Sequence, residues 1–319
     1  TIKGESGLVL ADLIIGKSYE DREGFHLVRV PGQKRVYGAS LDLDLSTSFS
    51  DWIEADLLKV EKEEIRSVVL KDYSIDERTG RLDQRDELAI LKGDDDSWSA
   101  PGILETQEVD KYKMNNLIKA LDELAIVGVR PKPEGLTASL QQSNQGIKLS
   151  TQDMLNLQGK GYYFAKDGRL LSNEGELQVT TAKGVVYTLR FGEVAFGTGV
   201  AVSAGGADEL ERKGPGENRY LFITASFNAA VFPEPELPAH TDYLEKPDSL
   251  WTADDYRMKS LQVEHDNWQK NMGEGRVLSN ELNNRFANWY YVISADSFDK
   301  VHLTRVDVLK DKPEPPPDQ

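Results

Sequence analysis

The stretch Glu176-Leu177-Gln178-Val179-Thr180-Thr181-Ala182-Lys183-Gly184-Val185-Val186-Tyr187-Thr188-Leu189-Arg190-Phe191 reads as two strands on either side of a three-residue turn. That is the arrangement of an antiparallel hairpin. Upstream, residues 162–165, the turn Lys166-Asp167-Gly168 and Leu170-Leu171 extend it into a meander. Downstream, residues 197–216 are rich in Gly, Ala and charge and read as a long loop, after which residues 219–231 return to strand. Pro233, Pro235 and Pro238 close this segment, because proline removes backbone donors and forbids helix.

The first 60 residues show a similar grammar. Residues 8–15 are apolar and end at Gly16, residues 25–30 follow, Pro31-Gly32 makes a turn, and Val36-Tyr37 resumes. Phe49, Trp52, Ile53, Leu57 and Leu58 recur at helical spacings and predict a short helical segment laid over the sheet. Residues 65–70 restart β structure, and residues 88–91 with Trp98 frame the polar turn Gly93-Asp94-Asp95-Asp96-Ser97.

Three helices are expected. Val109, Tyr112, Leu117, Ile118, Leu121 and Leu124 define the first, with Thr106 as N-cap and Gly128 and Pro131 as stop signals. Ser150 and Asp153 make a capping box for a second, shorter helix that stops near Gly159. From Ala253 to about Ala287 a near-3.5 spacing through Met258, Leu261, His265, Trp268, Met272, Leu282 and Phe286 predicts a long helix, kinked or broken near Gly273. Residues 289–294 read as a buried strand.

The fold class expected is α+β: antiparallel sheets each covered by a helix, arranged as tandem related modules, with a long C-terminal helix. The tandem reading rests on two echoes. Leu13-Ile14-Ile15-Gly16 followed by residues 25–30 parallels Thr188-Leu189-Arg190-Phe191-Gly192 followed by residues 219–223, and Val36-Tyr37 with residues 56–59 parallels Tyr291-Val292 with residues 307–310. The expected division is residues 1–60, a first β-rich module lacking part of its N-terminal side; 61–238, a second α+β module; 239–310, the long helix plus strand; and 311–319, a disordered Pro-rich tail.

Composition narrows the function classes. The 319 residues carry 38 basic and 54 acidic side chains, a formal net charge of −16. Such a surface repels polyanions, so nucleic acid and anionic lipid surfaces are not expected partners. The absence of cysteine excludes disulfide frameworks, Cys-ligated zinc, iron–sulfur clusters and thiol nucleophiles. No apolar run approaches a membrane span. Because the sequence begins at Thr1, a signal or anchor ahead of it is expected to have been removed.

The candidate chemistry is thin. His26, His240, His265 and His302 lie in four segments without metal-ligand spacing; His265 reads as a core or interface residue and His26 as water-facing. There is no G-x-S-x-G elbow and no phosphate-binding glycine loop; Gly192, Gly197, Gly199, Gly205 and Gly206 lie between two strands, whereas a dinucleotide fingerprint sits between strand and helix. Asp94, Asp95 and Asp96 lack the remaining ligands of a calcium loop and read as a solvated hairpin tip. Asp42 and Asp44 share a face if extended, and Glu61, Glu63 and Glu64 read as a linker or solvated face. Trp289, Tyr290 and Tyr291, with Phe286 and Trp268, are expected in the core, with a stacking platform for sugars or peptides as the alternative. No catalytic, cofactor-binding or metal-binding residue is assigned, and no cofactor is expected.

Several of these stretches resemble the bacterial domain-of-unknown-function family numbered 4340. They are residues 13–37 continuing into Phe49-Ser50-Asp51-Trp52 and Asp56-Leu57-Leu58; the helix 109–127 with Gly135-Leu136; Gly161-Tyr162-Tyr163-Phe164 with residues 170–175; and residues 285–293, similar to members with a C-terminal extension. The resemblance implies an extracytoplasmic region behind one N-terminal membrane anchor, found beside ABC-transporter components of the gliding-motility type. It implies no catalytic residues, since none are established for the family. The function expected is therefore a non-catalytic binding or scaffold protein of the bacterial cell envelope, on the periplasmic side, with protein partners that include membrane transporter subunits. The alternative is a glycan- or peptide-acting hydrolase using paired carboxylates.

Overall fold

A computed structural model describes residues 2–3, 8–19, 22, 24–42, 56–76, 78–141, 149–165, 167–195 and 217–313. The chain falls into two compact units, Thr1–Thr47 and Ser48–Gln319. The helical segment expected from Phe49, Trp52 and Ile53, the loop 197–216 and the tail from residue 314 lie outside the described residues, as does Asp44.

The first unit is all strand. β1 (Ile2–Lys3) pairs with β2 (Val9–Ala11), and β3 (Ile14–Ser18), β4 (Phe25–Arg29) and β5 (Tyr37–Ser40) form a three-stranded antiparallel sheet in that order. Its turn is the expected Pro31-Gly32, with Gly32 at φ +80°, a left-handed backbone that glycine adopts without steric cost. Among its described residues Val28 is the only fully buried apolar side chain, while Leu8, Val9, Leu10, Leu13, Ile14, Ile15, Tyr19, Val36 and Tyr37 are exposed.

The second unit contains, in chain order, β6 (Ile65–Asp76), β7 (Arg81–Lys92), β8 (Trp98–Ser99), β9 (Gln107–Val109), α1 (Lys111–Asp122), β10 (Ile126–Pro131), α2 (Glu134–Gln141) and α3 (Thr151–Gln158). The chain continues through β11 (Tyr162–Phe164), β12 (Leu170–Ser172), β13 (Glu176–Thr181), β14 (Val185–Ala195), β15 (Asn218–Phe227), α4 (Ala253–Ala287), β16 (Trp289–Ile293), α5 (Ala295–Val301), α6 (Arg305–Val308) and β17 (Leu309–Asp311). Eight strands make one antiparallel sheet in the order β10-β16-β15-β14-β13-β6-β7-β8. It takes strands from both of the stretches 61–238 and 239–310. This is an α+β fold with a long C-terminal helix, as the sequence predicts.

Strand side chains alternate between faces, and both faces are used. Leu70, Leu177, Leu189 and Ile223 stand in one cross-strand row and join the main core with Leu117 and Leu121 of α1, Leu282 and Phe286 of α4, and Phe298 and Val301 of α5. On the opposite face Phe222 and Tyr290 pack with Leu136 of α2, Leu157 of α3, and Tyr162 and Leu170 of the β11–β12 hairpin.

Helix boundaries follow the capping groups. α3 has the predicted box, Ser150 accepting from the Asp153 amide and Asp153 accepting from the Ser150 amide, and it ends at Gly159. α1 departs from expectation: its N-cap is Asp110, whose carboxylate accepts from the amides of Tyr112 and Lys113. Thr106 lies upstream of β9, its carbonyl accepting from the Lys312 amide next to β17. Gly128 and Pro131, read as stop signals beyond the helix, lie within strand β10, so the segment 109–127 is strand, helix and strand again. α2 is invisible in the apolar pattern.

α4 starts at a second capping box, Thr252 with Asp255, and runs unbroken through Gly273 and Gly275, contrary to the kink expected there. Gly275 has another reason to be glycine. A Cβ at this position would strike the carbonyl oxygen of Lys183 in the β13–β14 turn and come within 2.6 Å of the Phe227 ring. The small residue lets the helix cross the turn closely while its hydrogen bonds continue.

Candidate functional site

The β13–β14 hairpin fixes a buried charged row in the second unit. Its turn centres on Lys183 and sets Glu176 opposite Arg190, while β6 sets Lys71 opposite Glu176 on the other side. The buried Glu176 carboxylate lies 3.1 Å from Lys71 Nζ and 3.1 Å from Arg190 Nε, and it accepts from Tyr73 Oη at 3.4 Å. Arg190 donates further to the Leu170 carbonyl at 2.8 Å and to Thr224 Oγ1 at 3.0 Å. Burial, then the Glu176 charge, raises the Tyr73 pKa. The Glu176 carboxylate also accepts from Gln178 Nε2 at 3.2 Å, so its two oxygens are engaged by groups from β6, β13 and β14 and the row locks these strands together.

The residues 170–175 serve the same end. Ser172 Oγ donates to the Gly175 carbonyl at 2.6 Å, Glu174 holds Arg219 at 3.1 Å, and the Glu174 carbonyl meets His302 Nε2 at 2.9 Å. Gly175, at φ +70°, brings its α-carbon against the Lys71 carbonyl, where no side chain fits.

A second buried group lies on the opposite face. Lys132 Nζ donates to the Phe286 carbonyl at 2.9 Å, near the end of α4, and sits 3.7 Å from the centroid of Phe222 and 5.5 Å from that of Tyr290. Burial holds its amine well below the ordinary lysine value, with the Arg190 charge adding to the effect. Nearby, Lys160 Nζ donates to Asn156 Oδ1 at 3.1 Å, and burial lowers its pKa as well. Lys132 caps the α4 C-terminus, where the helix dipole favours a positive or donating group.

The residues singled out in the sequence do not converge. His240 meets Asp254 at 3.0 Å, His265 lies against Trp268, and His302 stacks on Phe298 at 4.5 Å. Burial lowers the His302 pKa. His26, expected to face water, is half-buried in β4. Among the described residues there is no group of three or more metal-ligating side chains. Asp95 accepts from the Ser97 hydroxyl and Asp96 pairs with Lys92 at 2.8 Å, so the acidic run is a hairpin tip with both carboxyl pKa values lowered by those partners. Asp42 is exposed in the first unit. Glu61 and Glu63 are exposed, whereas Glu64 is not a solvated face: it pairs with Lys183 at the β13–β14 turn.

Tyr290, Tyr291 and Phe286 are buried, Trp289 is 40% exposed, and Trp268 donates to the Phe232 carbonyl. Phe286, Tyr290 and Tyr291 are therefore core, whereas Trp289 is exposed and Trp268 half-buried. Burial pushes the Tyr291 pKa up to about 12. Lys132, Lys160 and the Glu176 row escaped the sequence reading. The pairing of Glu176 with Arg190 was available from the turn position, but Lys132 had no signal beyond following Pro131.

An open groove of about 730 Å³ lies between the 3-10 turn Lys62–Glu64, the β7–β8 hairpin and α1. A smaller one of about 490 Å³ lies where α4 crosses the β13–β14 turn, lined by Lys183, Phe232, Gly275 and Leu278. No helix among the described residues is long and apolar enough to cross a membrane.

No curated protein and no solved structure matches the chain. A family match spans residues 1–142, from the first unit through the end of α2. The stretches 161–175 and 285–293, read above as similar to the same family, lie beyond the matched residues. The matching model is that of the family Domain of unknown function (DUF4340), to which the chain is similar over residues 1–142.

Proposed function

We propose that the protein is a non-catalytic binding or scaffold component of the bacterial cell envelope, held on the periplasmic side and assembling with subunits of an ABC-transporter-like complex. The observation that carries this reading is the concentration of exposed apolar side chains in the first unit, Leu8, Val9, Leu10, Leu13, Ile14 and Ile15 among them. Clustered exposed apolar surface marks contact sites on proteins whose remaining surface is charged. The buried ionisable groups of the second unit support it in a different way, since Glu176, Lys132 and Asp255 are each engaged in bonds that fix strands or helix ends.

Affinity capture of the tagged native protein from detergent-solubilised membranes tests it. Recovery of membrane transporter subunits, reduced when Leu10 and Ile14 are both changed to Ser, is the expected result. Recovery of soluble cytoplasmic proteins alone, or capture unchanged by that double substitution, would contradict it.

A further inference from the structure

The three-stranded sheet of the first unit ends on an edge with backbone donors and acceptors to spare. Its order is β3-β4-β5, so among the described residues β5 pairs with β4 alone. The Leu41 amide donates to the Gly24 carbonyl, which fixes the phase of the ladder. Tyr37, Ala39 and Leu41 turn their backbone groups inward to β4, and Gly38 and Ser40 turn theirs outward. Such a row is a template for another strand, and sheets blunt it with proline, a bulge or a charge on the edge strand. β5 is Tyr37-Gly38-Ala39-Ser40, in unbroken register with β4, and has none of these.

The residues of this edge specify which strand fits it. Gly38 is exposed, and a Cβ there would meet only Phe25 Cδ1 at an ordinary 3.8 Å, so the fold of one chain does not call for glycine. Glycine inside a strand marks a close approach of another backbone. Two β5 strands set antiparallel about a two-fold axis at Gly38 bring its outward groups against those of its own copy, with Val36 opposite Ser40 on either side. The exposed Tyr37 then lies across from Ala39 on one face, a cross-strand pair that covers part of the ring.

The flanks agree in charge. The same register, carried outward, sets Arg35 opposite Leu41 and brings Lys34 of each copy alongside Asp42 of the other. Lys34 and Asp42 are both exposed and hold no ion pair among the described residues. From Gly24 to Asp42 the charged side chains are Arg29, Lys34, Arg35 and Asp42, so this edge carries none of the acidic excess behind the chain's net charge of −16. We propose that the chain forms a two-fold dimer by pairing β5 with β5 of a second copy, joining two three-stranded sheets into one of six strands. β3, with its exposed Ile14, is at the other edge of the sheet, so the dimer does not depend on the contact proposed above for the apolar side chains.

Sedimentation of the whole chain from about 1 to 300 μM, at about 0.15 M salt so that distant charges are screened, tests the assignment. A monomer–dimer equilibrium is expected within that range. Gly38→Pro removes an outward donor and leaves the inward ladder to β4 intact, and Lys34→Asp sets like charges together; each should weaken the dimer about tenfold. Lys34→Asp combined with Asp42→Lys should restore it to within about threefold, and these exposed positions keep the fold. Because the chain has no cysteine, Gly38→Cys places one thiol per copy at the axis. Facing α-carbons about 5.5 Å apart suit a disulfide, so mild oxidation should link Gly38→Cys and spare a variant at an exposed site of the second unit, Leu104→Cys. A monomer throughout the range, a dimer indifferent to Gly38→Pro or not regained in the charge-swapped chain, or Gly38→Cys linking no faster than Leu104→Cys would overturn the proposal.

Discussion

Strand β3 of the first unit and strand β14 of the second carry related sequences, Leu13-Ile14-Ile15-Gly16 and Thr188-Leu189-Arg190-Phe191-Gly192, and meet opposite fates. Leu189 and Phe191 are buried in the main core, whereas Ile14 and Ile15 are 45% and 37% exposed. The difference lies in the neighbours. β14 is flanked by β13 and β15 and roofed by α4 and α5 on one face. β3 pairs with β4 alone, in a three-stranded sheet. An apolar run fixes strand geometry through local sterics, but its burial depends on what the rest of the chain brings over it.

If stability resides in the roofed sheet, its loss should track that architecture. The largest effect is expected for Phe286→Ala, which removes a fully buried ring touching Tyr187 and Tyr291; a loss of about 3–5 kcal/mol in chemical denaturation is predicted. Next is Glu176→Gln, which leaves Arg190 and Lys71 facing an uncharged amide. Lys71 keeps solvent contact, so the cost should be about 2–3 kcal/mol, below that of a wholly buried pair.

A smaller, pH-dependent effect comes from His302. Burial lowers its pKa in the folded chain below the ordinary 6.5, so the unfolded chain binds the extra proton more readily. Stability should therefore fall as pH drops below about 6.5 and level off below the folded value, and in His302→Gln that part of the slope should vanish. The smallest effect belongs to the first unit. Leu10→Ser is expected within about 0.5 kcal/mol of wild type, because the side chain is already exposed. A cost of several kcal/mol there would erase the distinction between the two sheets.

The hairpin at Lys183, the capping boxes at Ser150 and the long helix from Ala253 were legible because each is set by residues close in sequence. The misreadings share one cause. Thr106 has an N-cap's residue type but lies beside β17, and the kink expected near Gly273 is absent, the nearby Gly275 being set by the β13–β14 turn beneath it. Both are decided by segments far away in the chain. The groove over α1 escaped for the same reason: Arg66, Trp98 and Asn115 are distant in sequence, and none belongs to a motif.

Native-state hydrogen exchange on the whole chain addresses the contrast most directly. The amides of Val68, Val179, Leu189 and Ile223 should exchange only through global unfolding, while those of Ile14, Ile15 and Val28 should exchange by local opening, at least about a hundredfold faster. Equal protection in the two sheets would contradict the account.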